Sequence, residues 1–239
     1  MAWRQTIVGI LVLTAVWMGT GENVSKVATA LEQHLRALIV NPSSKNGVQL
    51  EILTRSPADA DQGRFQLISI SSAPAQIKGV FLREFRGRVV DAVIDVPALL
   101  QRGKLRTLRA QESVVDGILD GEALEKMFAL GKSTKPMKIK VEVLDGVVKL
   151  TGVLTLIGIN NPFEALCRVV PSPEGLNVII DELRVNGIPA PAIIRSRLEK
   201  KINPVVNRDE IPFSPEFRSI RFKDGLIYVS SKRDENPRR

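Results

Sequence analysis

Strict alternation of apolar and polar residues in the middle of the chain is the feature that most restricts its fold. In residues 138–143 (KIKVEV), three aliphatic side chains share one face of an extended strand, and lysine and glutamate occupy the other face. The VLDGVVKL that follows carries Asp145-Gly146, a dipeptide that favours a tight hairpin turn. We therefore expect half-buried antiparallel strands joined by hairpins.

Further strands are expected on both sides of this hairpin. The segments are VQLEILTR, FQLISISS, the stretch from Gln76 to Val96 with bends at Gly79 and Gly87, KLRTLRAQ, VVKLTGVLTLIGI, FEALCRVVP and EGLNVIIDELRVNG. Helices are expected at Glu22–Val40, Asp120–Gly131 and residues 189–203. This order predicts one α+β domain in which a long, curved antiparallel sheet surrounds amphipathic helices.

The first of these helices has the clearest apolar stripe in the chain. Val27, Leu31, Leu35 and Leu38 repeat at helical spacing, and Asn41-Pro42 ends the helix. A stripe of this kind either packs in a core or lies on a membrane surface. We favour the core, because the strands need a partner.

Two later segments suggest an apolar cavity. From Val153 onward the strand VVKLTGVLTLI is apolar on both faces, so that it is either buried beneath a helix or lines a cavity. The last helix carries Ile194, Leu198 and Ile202 as its stripe, and Arg195, Glu199 and Lys200 are expected to point away from it. Lys201 returns to nearly the same face as Ile194. A lysine there either extends its ammonium to solvent or meets an anion at the mouth of a groove.

The N-terminus has the pattern of an export signal. A weakly basic start is followed by the apolar run Ile7–Met18 and by small residues at 19–21. We expect residues 1–21 to be a signal peptide, with an uncleaved anchor at 7–18 as the alternative. Residues 22–231 would then be the domain and residues 232–239 a charged, flexible tail. The net charge of +8 favours anionic surfaces such as phospholipid headgroups.

Several kinds of catalytic site are excluded by composition. His34 is the only histidine and Cys167 the only cysteine, so a histidine-built metal site and an intrachain disulfide are both impossible. Asp91 with Asp95, or Glu142 with Asp145, could still form a hydrolytic carboxylate pair. Only 5% of the residues are aromatic, which argues against a sugar site and against single-stranded nucleic acid.

A basic segment lies between Arg83 and Arg109. It holds seven basic residues, which are Arg83, Arg86, Arg88, Arg102, Lys104, Arg106 and Arg109. A basic patch without aromatic residues fits anionic lipid better than RNA. An ordinary solvated face is the competing explanation.

The C-terminal third carries the most specific pattern. GLNVIIDELRVNGIPAPAIIRSRLEKKINPVV has a strand that ends at Gly187-Ile188-Pro189 and a helix that reaches Asn203-Pro204. A link through Ile211-Pro212 then leads to a hairpin that turns at Lys223-Asp224-Gly225. With the N-terminal helix and the LDGVVKLTGVLTL hairpin, this order resembles the LmeA-like phospholipid-binding family of the bacterial cell envelope.

The resemblance implies a tubular fold similar to bactericidal/permeability-increasing protein, and a non-enzymatic activity without a cofactor. The ligand would be an anionic phospholipid. The protein would be exported to the periplasm or cell envelope, would meet a membrane surface, and would transfer lipid or support envelope glycolipid assembly. We expect the tails to contact Val27, Leu31, Leu35, Leu38, Val153, Ile194, Leu198 and Ile202. Arg197 and Lys201 are the expected headgroup contacts. An envelope scaffold that binds a protein or peptide in the same groove is the alternative.

Overall fold

A computed structural model describes residues 25–44, 46–156 and 158–233. The helices in these residues are α1 (Lys26–Leu38), α2 (Pro57–Asp61), α3 (Val96–Arg102), α4 (Gly121–Leu130) and α5 (Ala192–Ile202). The strands up to α4 are β1 (Ile39–Val40), β2 (Val48–Leu53), β3 (Arg64–Ser72), β4 (Ala75–Ile77), β5 (Val80–Leu82), β6 (Glu84–Ile94), β7 (Thr107–Arg109) and β8 (Glu112–Asp120). The later strands are β9 (Lys140–Val143), β10 (Val148–Leu156), β11 (Ile159–Ser172), β12 (Gly175–Val185), β13 (Ile188–Pro189), β14 (Val206–Asn207), β15 (Ser219–Lys223) and β16 (Leu226–Ser230).

The strands are divided among three antiparallel sheets. The first sheet has the order β15-β16-β8-β6-β3-β2, with β7 added to β6. The second sheet has the order β13-β12-β11-β10-β9, with β14 added to β12. A small sheet joins β1, β4 and β5. The predicted antiparallel α+β class is therefore confirmed, but these strands do not form the one continuous sheet that we expected.

The hairpin at Asp145-Gly146 forms as its sequence predicts. Val143 of β9 lies opposite Val148 of β10, and the alternation continues so that Leu150 is buried while Lys149 lies on the other face. Three of the expected strands, β10, β11 and β12, pair in sequence order. The second sheet is thus a meander with one buried face.

Helix α1 is a core helix. Ser25 caps its N-terminus by accepting a hydrogen bond from Ala28 N, and Ser25 Oγ also donates to Asp61 at 2.6 Å. The helix packs against β2, α2 and α3. Its apolar stripe is therefore covered by the first sheet and its neighbouring helices, which explains why the stripe is so regular.

Helix α4 connects the sheets. It follows β8 directly, with Asp120 as its N-cap, and packs against β5, β8 and β9. The chain turns at this helix from the first sheet to the second. The break between the sheets therefore falls where the sequence predicts a helix.

The long stretch from Gln76 to Val96 is three strands rather than one. Gly79 lies in the turn between β4 and β5, whereas Gly87 lies inside the paired part of β6. The sequence patterns did not indicate α2, α3 or β8. The expected signal segment at 1–21, the possible anchor at 7–18 and residues 234–239 of the expected tail lie outside the described residues.

Candidate functional site

The first and second sheets meet along an apolar line, which we call the seam. Phe85 of β6 and Val115 of β8 form its first wall, and Leu82 of β5, in the small sheet, adds to that wall. Leu176 of β12 and Val206 of β14 form the second wall. These side chains point inward because alternate residues of each strand face the core.

The seam contains a small gap. Its free volume is about 10 Å³, and Asp116 is the one charged residue among those that line it. The Asp116 carboxylate accepts a hydrogen bond from Ser230 Oγ. Sites that enclose a small-molecule ligand have volumes of roughly 300–1,000 Å³. In this structure the gap has room for about one water molecule, and an acyl chain would have to widen it.

Residues 203–218, which we call the strap, cover the gap. The strap joins α5 to β15 and contains little regular structure beyond β14 and a 3₁₀ turn at Arg208–Glu210. Its Ile211 and Phe217 are buried and line the gap. Its Phe213 lies over Gly87, where an added Cβ would be only 3.1 Å from the ring.

The strap is held to the second sheet at its beginning. Val205 N donates to Leu176 O at 2.9 Å, and Arg208 N donates to Glu174 O at 2.8 Å. Beyond this point Arg208 Nη2 donates to Ser214 O at 2.7 Å, which closes the strap on itself. An open depression of about 390 Å³ adjoins this segment, and its lining carries both signs of charge.

Helix α5 closes the exposed edge of β12. β13 covers one end of that edge and β14 the other. Between them, Glu199 Oε1 accepts from Ile180 N at 2.9 Å. Asn203 Oδ1 accepts from Val178 N at 2.7 Å and its Nδ2 donates to Val178 O at 2.8 Å. Two side chains thus occupy backbone groups that would otherwise be open to another strand.

The expected tail contacts on α1 lie in the core of the first sheet. Val27, Leu31 and Leu35 are at most 3% exposed, and Leu38 is half-buried. None of the four is among the residues that line the gap. A lipid would reach them only if α1 separated from its neighbours.

The remaining expected tail contacts lie on the second sheet. Leu198 and Ile202 are buried beneath α5, Ile194 is half-buried, and α5 packs mainly on β12. Val153 is half-buried on the face of β10 opposite to the buried Leu154. The structure therefore places the α1 group and the α5 group in different parts of the core, and Val153 outside both.

The expected headgroup contacts are both at the surface. Arg197 and Lys201 are exposed, and neither lines the gap. The ammonium of Lys201 reaches solvent, which is one of the two roles the sequence allowed. Glu199, which we expected to face solvent, instead binds the edge of β12.

The carboxylates that could have formed a hydrolytic pair have other surroundings. Asp95 is the N-cap of α3 and accepts from Ala98 N at 2.9 Å. Asp91 is exposed on β6, where its φ is +46°. Glu142 and Asp145 are both exposed. Among the residues described, no group of three or more histidine, cysteine or acidic side chains is placed to hold a metal ion.

Cys167 and His34 are both shielded from solvent to some degree. Cys167 is fully buried on β11, and burial raises the pKa of its thiol to about 12, with Asp181 and Glu199 adding to the effect. Burial also lowers the pKa of His34, with a smaller contribution from Lys78. An inert thiol is what the sequence predicts for Cys167, since thiolate is the reactive form.

The basic segment from Arg83 to Arg109 is distributed over β6, α3, β7 and the links between them. Arg86 and Arg88 lie on the outer face of β6, and Arg102 and Lys104 lie at and beyond the end of α3. Arg86 pairs with Glu84, and Arg83 lies 3.7 Å from Asp120. Local acidic partners thus offset part of the charge that the sequence count suggested.

The residues that line the gap were not identified from sequence. Val115, Gly117 and Leu119 of β8 alternate as a strand should, but the preceding Val114 and the glycine weaken the pattern. Ile211 and Phe217 lie in a proline-containing link, where periodicity carries no signal. Only the three-dimensional pairing brings them together.

Comparison with known proteins adds no functional assignment. None of the helices in the described ranges is long and apolar enough to cross a bilayer. Compared with protein-family models, with curated proteins and with solved structures, the chain matches none of them.

Proposed function

We propose that this chain is an exported, non-enzymatic protein that binds phospholipid in the cell envelope, with the acyl chains held in the seam. Its role would be to transfer lipid or to support glycolipid assembly. The observation that supports this function is the gap itself, because apolar side chains from all three sheets line it and an irregular strap covers it. Burial of an acyl chain gains about 0.8 kcal/mol per methylene, so such a site needs no catalytic group.

Opening of the strap is the step that this function requires. Within the strap, Ile211 N donates to Arg208 O and Ser214 N donates to Ile211 O, so these bonds can move with it. Ile211 and Phe217 would leave the gap, and an acyl chain would replace their apolar contacts. The exchange of one apolar contact for another keeps the cost of opening small.

Lipid content is the direct test. The protein expressed from the full chain in a bacterial host would be purified in a detergent compatible with native mass spectrometry. We expect a bound mass in stoichiometric amount that extraction identifies as phospholipid. An unliganded mass, together with no uptake from vesicles, would refute lipid binding and favour the protein-binding scaffold.

Two glycine substitutions test whether the lipid binds in the gap. An added Cβ at Gly117 would lie 3.2 Å from Val229 Cγ2 and 3.3 Å from Leu82 Cδ2, so Gly117→Val fills the gap. Gly79 has no neighbour within 4 Å of its added Cβ, which makes Gly79→Val the matched control. We expect Gly117→Val to lower the phospholipid bound per folded molecule by at least about fivefold, since overpacking excludes the chain. Equal occupancy in the two variants would place the lipid elsewhere.

A further inference from the structure

Three exposed isoleucines lie at one end of the second sheet. Ile159 begins β11, Ile188 begins β13 and Ile193 lies in the first turn of α5. Their exposed fractions are 65%, 69% and 61%. We call these three residues the isoleucine tip. Exposed aliphatic side chains that lie at one end of a sheet are typical of a surface that binds a partner or a membrane.

Hydrogen bonds bring the segments of the tip together. Asn186 N donates to Pro162 O at 2.9 Å, and Asn186 Nδ2 donates to Asn161 Oδ1 at 2.7 Å. The turn before Ile188 therefore lies beside the start of β11. Ala190 N donates to Leu183 O at 2.8 Å, which holds the link to α5 against the same end of β12.

The sequence of the tip is free of charge. Residues 158–163 (GINNPF) and 186–194 (NGIPAPAII) contain no acidic or basic residue, although 25% of the chain is charged. Both segments also contain proline and glycine, which are common in turns. Asparagine is the only strongly polar residue type in the two segments, at positions 160, 161 and 186, so the tip presents no charge of its own.

A row of cations continues from the tip along α5. Arg197 and Lys201 follow Ile193 at intervals of four residues, so the three share one side of the helix, and Lys200 lies beside them. All four residues are exposed. Within the described part of the chain, no carboxylate forms an ion pair with any of these three cations, and Glu199 is bound to β12.

Most acidic groups near this end are already paired. Glu164 lies 3.3 Å from Lys149, and the Asp181 carboxylate accepts three hydrogen bonds from Arg168. Glu182 is the remaining acidic side chain on the neighbouring strands. The net field at this end is therefore positive, which complements an anionic surface.

We propose that the isoleucine tip inserts into the interface of an anionic lipid bilayer, while Arg197, Lys200 and Lys201 bind the headgroups. The inference deepens the proposed function, on which it rests, by naming the end of the molecule that meets the membrane. Apolar side chains enter the headgroup boundary and cations behind them bind phosphate, as in other interfacial elements. Lys201 then acts at a bilayer surface rather than at the mouth of an internal groove.

A local fluorophore tests insertion at the tip. Cys167 is buried, so Ile188→Cys in the full chain offers one reactive thiol for an environment-sensitive nitrobenzoxadiazole label. Leu108→Cys on β7, where the side chain is 57% exposed, is the matched control. On vesicles of phosphatidylcholine with phosphatidylglycerol, we expect emission at 188 to rise at least about twofold and to be quenched by spin-labelled acyl chains. If the protein binds the vesicles but emission at 188 neither rises nor is quenched, the proposal is overturned.

Side-chain replacements test the energetics. The variant I159S/I188S/I193S should bind these vesicles at least about tenfold more weakly, because three aliphatic side chains lose their burial. The control L100S/L108S/L130S removes three leucines of similar exposure elsewhere and should bind within about twofold of the unchanged chain. The N-terminal apolar run is identical in both, so any contribution from it cancels. Equal binding by the two variants overturns the proposal.

Charge and lipid occupancy complete the test. R197Q/K201Q should lose affinity for vesicles with phosphatidylglycerol but not for phosphatidylcholine alone, and loss on both would overturn the electrostatic part. Native mass spectrometry of the same preparations reports bound phospholipid separately. If phospholipid is retained while the label at 188 stays in water, insertion of the tip is refuted and the proposed function stands. If the label inserts but no phospholipid is bound, the proposed function is refuted and insertion of the tip stands.

Discussion

Asn203 and Glu199 show how single side chains complete a sheet. Both approach the middle of β12, where neither β13 nor β14 reaches. Asn203 replaces a neighbouring strand by accepting from Val178 N and donating to Val178 O. An amide can do both at once because it carries a donor and an acceptor.

Replacing Asn203 by leucine should destabilise the protein by about 2–4 kcal/mol, because Val178 would lose both of its partners at a partly buried edge. Urea unfolding followed by circular dichroism measures the change. Lys200→Ala on the same helix is the control and should stay within about 0.5 kcal/mol of the original stability. A loss below about 1 kcal/mol for Asn203→Leu would mean that water replaces the amide without cost.

The sequence could indicate which residues of α5 are apolar, but not what its polar residues bind. Leu198 and Ile202 are buried as their spacing predicts. Glu199 lies between them in sequence and was expected to face solvent, yet it binds Ile180 N. Helical periodicity predicts which side of the helix a residue occupies. It does not predict where the edge of β12 lies, because that depends on tertiary packing.

Among the elements, the start of β12 has the tightest geometry. Gly175 has φ of +140°, and an added Cβ would lie 1.9 Å from Val206 O. The glycine lets β12 pair with β11 on one side and with β14, the beginning of the strap, on the other. The position of the strap therefore depends on a residue without a side chain.

Gly175→Ala should lower the free energy of unfolding by more than about 3 kcal/mol, because the alanine is strained at this φ and its Cβ clashes with a carbonyl oxygen. Gly146→Ala is the matched control, because Gly146 also has a positive φ (+76°) but its added Cβ would meet nothing within 4 Å. The control should lower the free energy of unfolding by about 1–2 kcal/mol, because only the positive φ is unfavourable for alanine there. Urea midpoints of the two variants measure the difference, and equal losses would show that the close approach to β14 is unimportant.

Elements with clear periodicity were predictable, and elements defined by their neighbours were not. The alternation in β9 and the stripe of α1 specify their own structure, because one buried face is enough to fix each. Helix α3 has seven residues and begins at Val96-Pro97, which reads equally well as the end of a strand. Strand β8 is central in the first sheet, where pairing on both sides compensates for its glycine.

On the scale of the whole molecule, the chain passes between the first and second sheets at two helical segments. Helix α4 separates β8 from β9, and α5 with the strap separates β13 from β15. The C-terminal hairpin then returns to β8 of the first sheet, so the chain passes between the first and second sheets twice. The alternation of apolar and polar residues predicts individual strands. Pairing between strands that are distant in sequence determines the sheet to which each strand belongs.

This crossing predicts that both sheets unfold together. The seam residues of the first and second sheets belong to one continuous core, and α4 and the strap connect the sheets covalently. We expect urea to remove hydrogen-exchange protection from β6 and from β11 at the same midpoint, with labelling of Cys167 following the same curve. The measurement is pulsed hydrogen exchange with mass spectrometry across a urea series. If β11 and Cys167 become accessible at lower urea than β6, the sheets are separate folding units, and the expected single domain at 22–231 is wrong.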